Sequence, residues 1–83
     1  MDFEIVGEIA GVETFARGVG VRIRDHLSRT YANDRPVRWR KRKGFATVAY
    51  ADGSVFYAEV HWFEGHGIGK VKMTVKRRMR RIR

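Results

Sequence analysis

The chain has 83 residues and no cysteine, which leaves room for one domain and excludes disulfide staples, thiolate zinc sites and cysteine nucleophiles. Its formal net charge is +9, from 18 Lys and Arg against nine Asp and Glu. Two tryptophans, three tyrosines and five phenylalanines argue for a packed core rather than a disordered basic segment, and no apolar run approaches the roughly 20 residues needed to cross a bilayer as a helix.

Taken in chain order, Phe3, Ile5 and Ile9 alternate with Glu4, Val6 and Glu8, the period of a strand with one buried face, and Gly7 marks a bulge within it. The stretch from Gly11 reads as a turn or irregular link. Val19, Ile23, Leu27 and Tyr31 then recur every four residues, with Arg22, Arg24, Asp25, Ser28 and Arg29 on the other faces. This spacing predicts an amphipathic helix over 19–32, ended by Asn33, Asp34 and Pro36. A short strand over Val19, Val21 and Ile23 is the competing reading, but it leaves Leu27 and Tyr31 unexplained. Val37 to Arg40 could add a short strand, which Lys41 to Lys43 would break.

The second half is strand-like. Phe45 to Tyr50 and Val55 to Phe63 flank Ala51-Asp52-Gly53-Ser54, a hairpin signal. With Asp52-Gly53 as a two-residue loop, Phe45 faces Val60, Thr47 faces Ala58 and Ala49 faces Phe56. Lys70 to Lys76 alternates Val71, Met73 and Val75 with lysines and Thr74. Closed across Glu64 to Gly69, it sets Val71 against Trp62, Met73 against Val60 and Val75 against Ala58. The expected fold is α+β, in the order β-α-β-β-β. It has a three-stranded C-terminal meander, the first strand at an edge, and the helix packed on one sheet face with Ile23 and Leu27 towards Phe56, Val60, Trp62 and Met73. The domain is expected over 1–76, followed by a basic tail over 77–83 that forms either a short helix or a loose arm.

The cations are concentrated. Arg35 to Lys43 holds six in nine positions and Lys70 to Arg83 eight in fourteen, while Asp2, Glu4, Glu8 and Glu13 make the start acidic and no acid follows Glu64. Such a field draws phosphate polymers or anionic lipid surfaces. The residues expected to meet nucleic acid are Arg38, Trp39, Arg40, Lys41, Arg42, Lys43, Tyr57, Lys70, Lys72, Lys76, Arg77 and Arg78. The cations neutralise phosphates and the rings stack on unpaired bases. Trp39 has the alternative of capping one end of the core.

The same register puts Val48, Tyr50, Val55, Tyr57, Glu59, His61, Lys72, Thr74 and Lys76 on the open sheet face, with His61 beside Lys72, Glu59 beside Thr74 and Tyr57 beside Lys76. Glu59, His61 and Lys72 could cleave RNA without a metal, one group taking the 2′-hydroxyl proton, one protonating the leaving oxygen and a cation holding the phosphate. Cross-strand ion pairs and a solvated histidine explain the same trio. In Gly65-His66-Gly67-Ile68-Gly69, His66 and successive N–H groups could hold a phosphate, or the string is a tight connection with Ile68 tucked inwards. His61 and Glu64 fit no metal-ligand spacing, and neither a metal nor another cofactor is expected.

The strings Trp39-Arg40-Lys41, Lys43-Gly44, Glu59-Val60-His61-Trp62, His66-Gly67-Ile68-Gly69 and Lys70-Val71-Lys72 form a pattern, WRKxKG … AEVHWxExHGIG, over about the last two thirds of the chain. It resembles small bacterial proteins of unassigned function and so implies no activity. The order of helix then antiparallel sheet is also similar to small ribonuclease toxins, at the level of fold alone.

The expectation is a nucleic-acid-binding protein, with RNA preferred to DNA because the open sheet carries tyrosines and no recognition helix is apparent. A metal-independent ribonuclease is the first alternative. The second is a protein-interaction or homodimeric subunit using the Tyr50/Tyr57 face. The acidic opening Met1-Asp2-Phe3-Glu4 lacks the pattern of a secretory leader, and a cysteine-free chain suits a reducing compartment, so a cytoplasmic location is expected.

Overall fold

The computed structural model describes residues 2–83. Five elements follow in order: β1 (Phe3–Arg17), α1 (Val21–Tyr31), β2 (Trp39–Tyr50), β3 (Val55–Gly65) and β4 (Gly69–Arg81). The strands make one antiparallel sheet in the order β1-β2-β3-β4. The chain thus adopts the expected α+β fold, with β1 at an edge and the meander formed by β2, β3 and β4.

β1 is longer than expected. It continues through Gly11 to Arg17, with register shifts between Val6 and Ala10, Ala10 and Glu13, and Thr14 and Ala16. The bulge expected at Gly7 falls in the first of these. β2 also runs straight through Lys41 to Lys43, where a break was expected. These cations occupy strand positions because β1 and β3 pair with them on both sides.

The β2–β3 register differs from the expected one by a single residue. Gly44 faces Val60, Ala46 faces Ala58 and Val48 faces Phe56. The turn is the cause. Tyr50 N donates to Ser54 O at 2.9 Å and Gly53 N to Tyr50 O at 3.0 Å, so the loop is the three residues Ala51-Asp52-Gly53. Gly53 takes the positive φ (91°) that such a loop requires. The Asp52 carboxylate accepts from Ser54 N at 2.9 Å and from its hydroxyl at 2.6 Å. Because side chains alternate, the slip exchanges the two faces of β2. Ala46 and Val48 join Ala58, Val60 and Trp62 in the core, with Tyr50 packed against them. Phe45, Thr47 and Ala49 take the other face.

Bulges also correct the β3–β4 register. Phe63 faces Val71, His61 faces Thr74, Val60 faces Val75, Glu59 faces Arg77 and Tyr57 faces Arg80. One of the shifts lies where Lys72 takes φ 55°. Val71 is thereby turned to the face of Phe63, whereas Met73 and Val75 pack on the core. Arg77 to Arg81 belong to β4, neither a helix nor a loose arm.

The sheet is rolled. β1 and β4 are its two edges, about 14 Å apart in a flat four-stranded sheet. Yet one cleft is lined by Ile5, Ile9 and Val12 of β1 together with Met73 of β4, and another by Phe3 with Met73 and Val75. Bulges in both edge strands add twist, and the small residues Gly44, Ala46 and Ala58 let the concave side close. The core therefore lies inside the roll, where Phe3, Ile5, Ile9, Phe56, Met73 and Val75 cover Ala46, Val48, Ala58, Val60 and Trp62.

No residue of α1 belongs to that core cluster, and Ile23 is 40% exposed. The expected seat of Ile23 and Leu27 over Phe56, Val60, Trp62 and Met73 is thus corrected: the edge strands cover the sheet themselves. α1 is anchored at the start of β2, where the Trp39 indole N–H donates to Ser28 Oγ at 3.1 Å and Trp39, Ser28 and Leu27 are all buried. Gly65 faces Trp39, and a Cβ there would lie 2.7 Å from Val37 Cγ1 and 2.9 Å from Trp39 Cζ3. Asn33 and Asp34, at φ 51° and 62°, end the helix, with Asp34 N donating to Ser28 O at 3.0 Å. Among the described residues no helix is long and apolar enough to cross a membrane.

Candidate nucleic-acid interface

The convex face of the roll is built from alternate residues of β2 and β3. Lys41 faces Phe63, Lys43 faces His61, Phe45 faces Glu59 and Thr47 faces Tyr57. β1 adds Phe15, left on this face by the bulge between Thr14 and Ala16. Phe15 is 45% exposed and its ring lies 5.1 Å from that of His61, centroid to centroid. Lys43 Nζ sits 5.7 Å from the Phe15 centroid, Lys41 Nζ 5.5 Å from Phe63, and the Arg80 guanidinium 6.0 Å from Tyr57. Phe45 and Tyr57 stack at 6.3 Å. Phe15, Lys41, His61, Phe63, Lys72, Thr74 and Lys76 line a cleft of about 530 Å³, which also reaches Trp62. No acid lines it. A ring with a cation above it offers an unpaired base a π surface and offers its phosphate a counter-charge.

Glu59 and His61 share this face. His61 Nε2 and Glu59 Oε2 are 2.7 Å apart. The bond from His61, then the charges of His61, Arg77 and Lys43, hold the Glu59 carboxyl below the ordinary glutamate range, against a smaller upward push from burial. The Arg77 guanidinium lies 3.5 Å from Glu59 Oε1. Lys72 borders the cleft with His61, although Thr74, not Lys72, is the residue opposite His61.

The other expected contacts divide by face. Trp39 is 2% exposed and holds α1, so it caps one end of the fold and offers no stacking surface. Arg40 and Arg42 face Glu64 and Trp62 on the concave side. Glu64 Oε2 accepts from Arg40 Nη2 at 3.1 Å and Arg42 Nη1 at 2.9 Å, and Oε1 accepts from Trp62 Nε1 at 3.0 Å. Burial, the largest influence, pushes the Glu64 carboxyl up. Bonds from Trp62 and Arg42, with the charges of Arg42 and Lys70, outweigh it and hold the carboxyl below the ordinary range. Arg42 Nε is buried without an acceptor. Arg78 covers the Tyr50 and Phe56 rings at 4.6 and 4.7 Å, and Lys70 lies 5.9 Å from the Trp62 ring. Tyr50 is therefore an inward residue, and the Tyr50/Tyr57 patch expected on one face does not form. His66 is exposed at the turn between β3 and β4, where Ile68 N donates to Gly65 O at 2.9 Å and Ile68 is half-buried.

No family model, curated protein or solved structure matches the chain. Phe15, Phe63 and Arg80 are residues of this candidate face that sequence reasoning missed. Glu13 and Phe15 alternate with Val12 and Thr14, so the strand period resumes after Gly11; the glycine, read as a turn, concealed it.

Proposed function

We propose that the protein binds RNA, in single-stranded form, across the convex face of its rolled sheet. The observation that carries this reading is the Phe15 cleft: exposed and half-buried rings of Phe15, His61 and Phe63, interleaved with Lys41, Lys72 and Lys76, and no acid among the cleft's lining residues. Bases would stack on the rings while the lysines neutralise the phosphates between them. A duplex buries its base faces and cannot use the rings, so the same geometry selects against it. The test is fluorescence anisotropy with one oligoribonucleotide, single-stranded and annealed to its complement. Single strands should bind more tightly, and Phe15→Ala should weaken them about tenfold, the lower part of the range for one lost stacking contact. Equal affinity for duplex and single strand, together with an unchanged Phe15→Ala, would refute the reading.

A second reading is favoured by the 2.7 Å contact between Glu59 and His61 beside the cleft. Glu59 would hold His61 Nε2, leaving Nδ1 to take the 2′-hydroxyl proton of a bound RNA as the 2′-oxygen attacks phosphorus, the P–O5′ bond breaks and the 5′-oxygen leaves with a proton from water, with Lys72 offsetting the phosphate charge. Cleavage in EDTA that yields 2′,3′-cyclic phosphate ends and falls by about 10²-fold or more in His61→Ala would establish it. RNA left intact at high protein concentration would leave the binding module alone.

A further inference from the structure

At the Trp39 end of the sheet, a second cleft of about 570 Å³ is lined by Arg17, Pro36, Val37, Arg38, Arg40 and His66. Three arginines and a histidine line it, and none of the lining residues is an acid. Two of the arginines face each other directly, since Arg17 pairs with Arg40 across β1 and β2. Like charges directly opposite in a sheet destabilise it unless an anion lies between them. Glu64 serves Arg40 in part, but the same Oε2 also accepts from Arg42. Arg17 and Arg38 have no ion-pair partner among the described residues. The exposed His66, on the turn between β3 and β4, closes the cleft on that side.

We infer that this cleft binds a phosphate monoester, and in the RNA-binding protein the terminal phosphate of the strand; the second clause rests on the proposed function. The chemistry separates a monoester from the backbone diesters. A monoester carries close to two negative charges at neutral pH on three terminal oxygens, which suits a cleft lined by several guanidinium forks. Diesters spread one charge per nucleotide, as the dispersed lysines of the convex face do. Pro36 and Val37 give the cleft an apolar wall, against which the nucleoside that bears the phosphate can lie.

The experiment has two arms. In the first, the protein is titrated with one single-stranded oligoribonucleotide bearing a 5′-phosphate, a 3′-phosphate or hydroxyls at both ends. One phosphorylated form should bind about tenfold more tightly than the hydroxyl form, as expected for at least one added charged hydrogen bond, and Arg38→Gln should bind all three forms alike. In the second arm, adenosine 5′-monophosphate is compared with adenosine by NMR, and only the monophosphate should shift the His66 ring and the Arg38 side chain. Shifts with adenosine monophosphate but no preference among RNA ends would uphold the monoester site and discard the RNA terminus as its ligand. RNA binding with no end preference and no shift would overturn the inference while leaving the proposed function intact. Failure of every oligomer to bind, with the shifts still present, would refute the proposed function and leave the monoester site standing. Both substituted positions are exposed and lie outside the core, so His66→Ala provides a second folded variant that should lose the preference.

Discussion

Glu64 is the side chain on which one end of the roll depends. Its carboxylate is shared by Arg40, Arg42 and Trp62, in a place where Arg42 Nε already lacks an acceptor. Glu64→Gln keeps the shape, removes the charge and turns one acceptor oxygen into a donor. It should cost about 1–3 kcal/mol, the penalty for leaving partly buried polar groups unsatisfied. The pH dependence follows from the direction of the Glu64 shift. A carboxyl held lower in the folded than in the unfolded chain binds its proton less readily when folded. Its contribution to stability is therefore present above the ordinary glutamate range and is lost as the pH falls through the lowered value. Urea unfolding of the wild type should weaken across that acid range. Glu64→Gln should weaken less over the same interval, and parallel acid limbs for the two proteins would contradict this assignment.

Among the elements, β4 shows how charge and architecture are joined in one segment. Arg77, Arg78, Arg80 and Arg81 pair with Glu59, Ala58, Tyr57 and Phe56, and Val55 N donates to Arg83 O at 2.8 Å. Deleting 77–83 therefore strips the outer half of β3 of its ladder on that side and uncovers the Phe56 ring beneath Arg78 and Arg81. The truncated chain should unfold at a lower temperature by circular dichroism, whereas the Arg77→Gln/Arg80→Gln protein, with two charges fewer and the ladder intact, should melt near the wild type, because both side chains are exposed and the one ion pair lost, to Glu59, is a surface contact. A truncated chain as stable as the full one would mean that the last strand segment contributes no structure. α1 contrasts with β4. Its link to the sheet is the buried bond between Trp39 and Ser28, and its Val21 and Ile23 side chains face outwards.

For the whole molecule, the roll decides where the charge goes. Packing the apolar side chains inside leaves Lys41, Lys43, Lys72 and Lys76 around the convex rings, with Arg17, Arg38 and Arg40 at the Trp39 end and Arg78 over Tyr50 at the other. A strand lying on that face would displace several counterions at once, so the observed association constant with RNA should fall on a log–log salt plot with a slope of several units, about 0.7 for each phosphate neutralised on a single strand. Lys41→Gln/Lys76→Gln, which removes two cleft lysines, should reduce the slope by about one to two. A slope near zero for the wild type would contradict electrostatic binding by this face.

Composition, charge and the order of elements were legible in the sequence, because each depends on residue type and local period. The hairpin at Asp52-Gly53, the helix starting within a few residues of Val19 and the burial of Val60 and Trp62 all follow from such local signals. The side of β2 that faces the core was not legible. Phe45, Thr47 and Ala49 on one side and Ala46 and Val48 on the other are both apolar enough to be buried, so alternation names two sets without ranking them. The three-residue turn ranked them, by setting the register that carries Ala46 and Val48 inwards. The bulges near Gly7, Thr14 and Lys72 are likewise tertiary, since an extra residue in a strand is stabilised by what its neighbours need to cover and not by its own propensity. They let the two edge strands curl over the sheet, and that roll displaced α1 from the cover it was expected to provide, moved Phe15 onto the face of His61 and brought Arg17 opposite Arg40. The sequence by itself determined that the protein is a basic α+β domain; the tertiary structure decided which of its rings and cations share a surface, because neighbours on a rolled sheet are set by register and curvature rather than by distance along the chain.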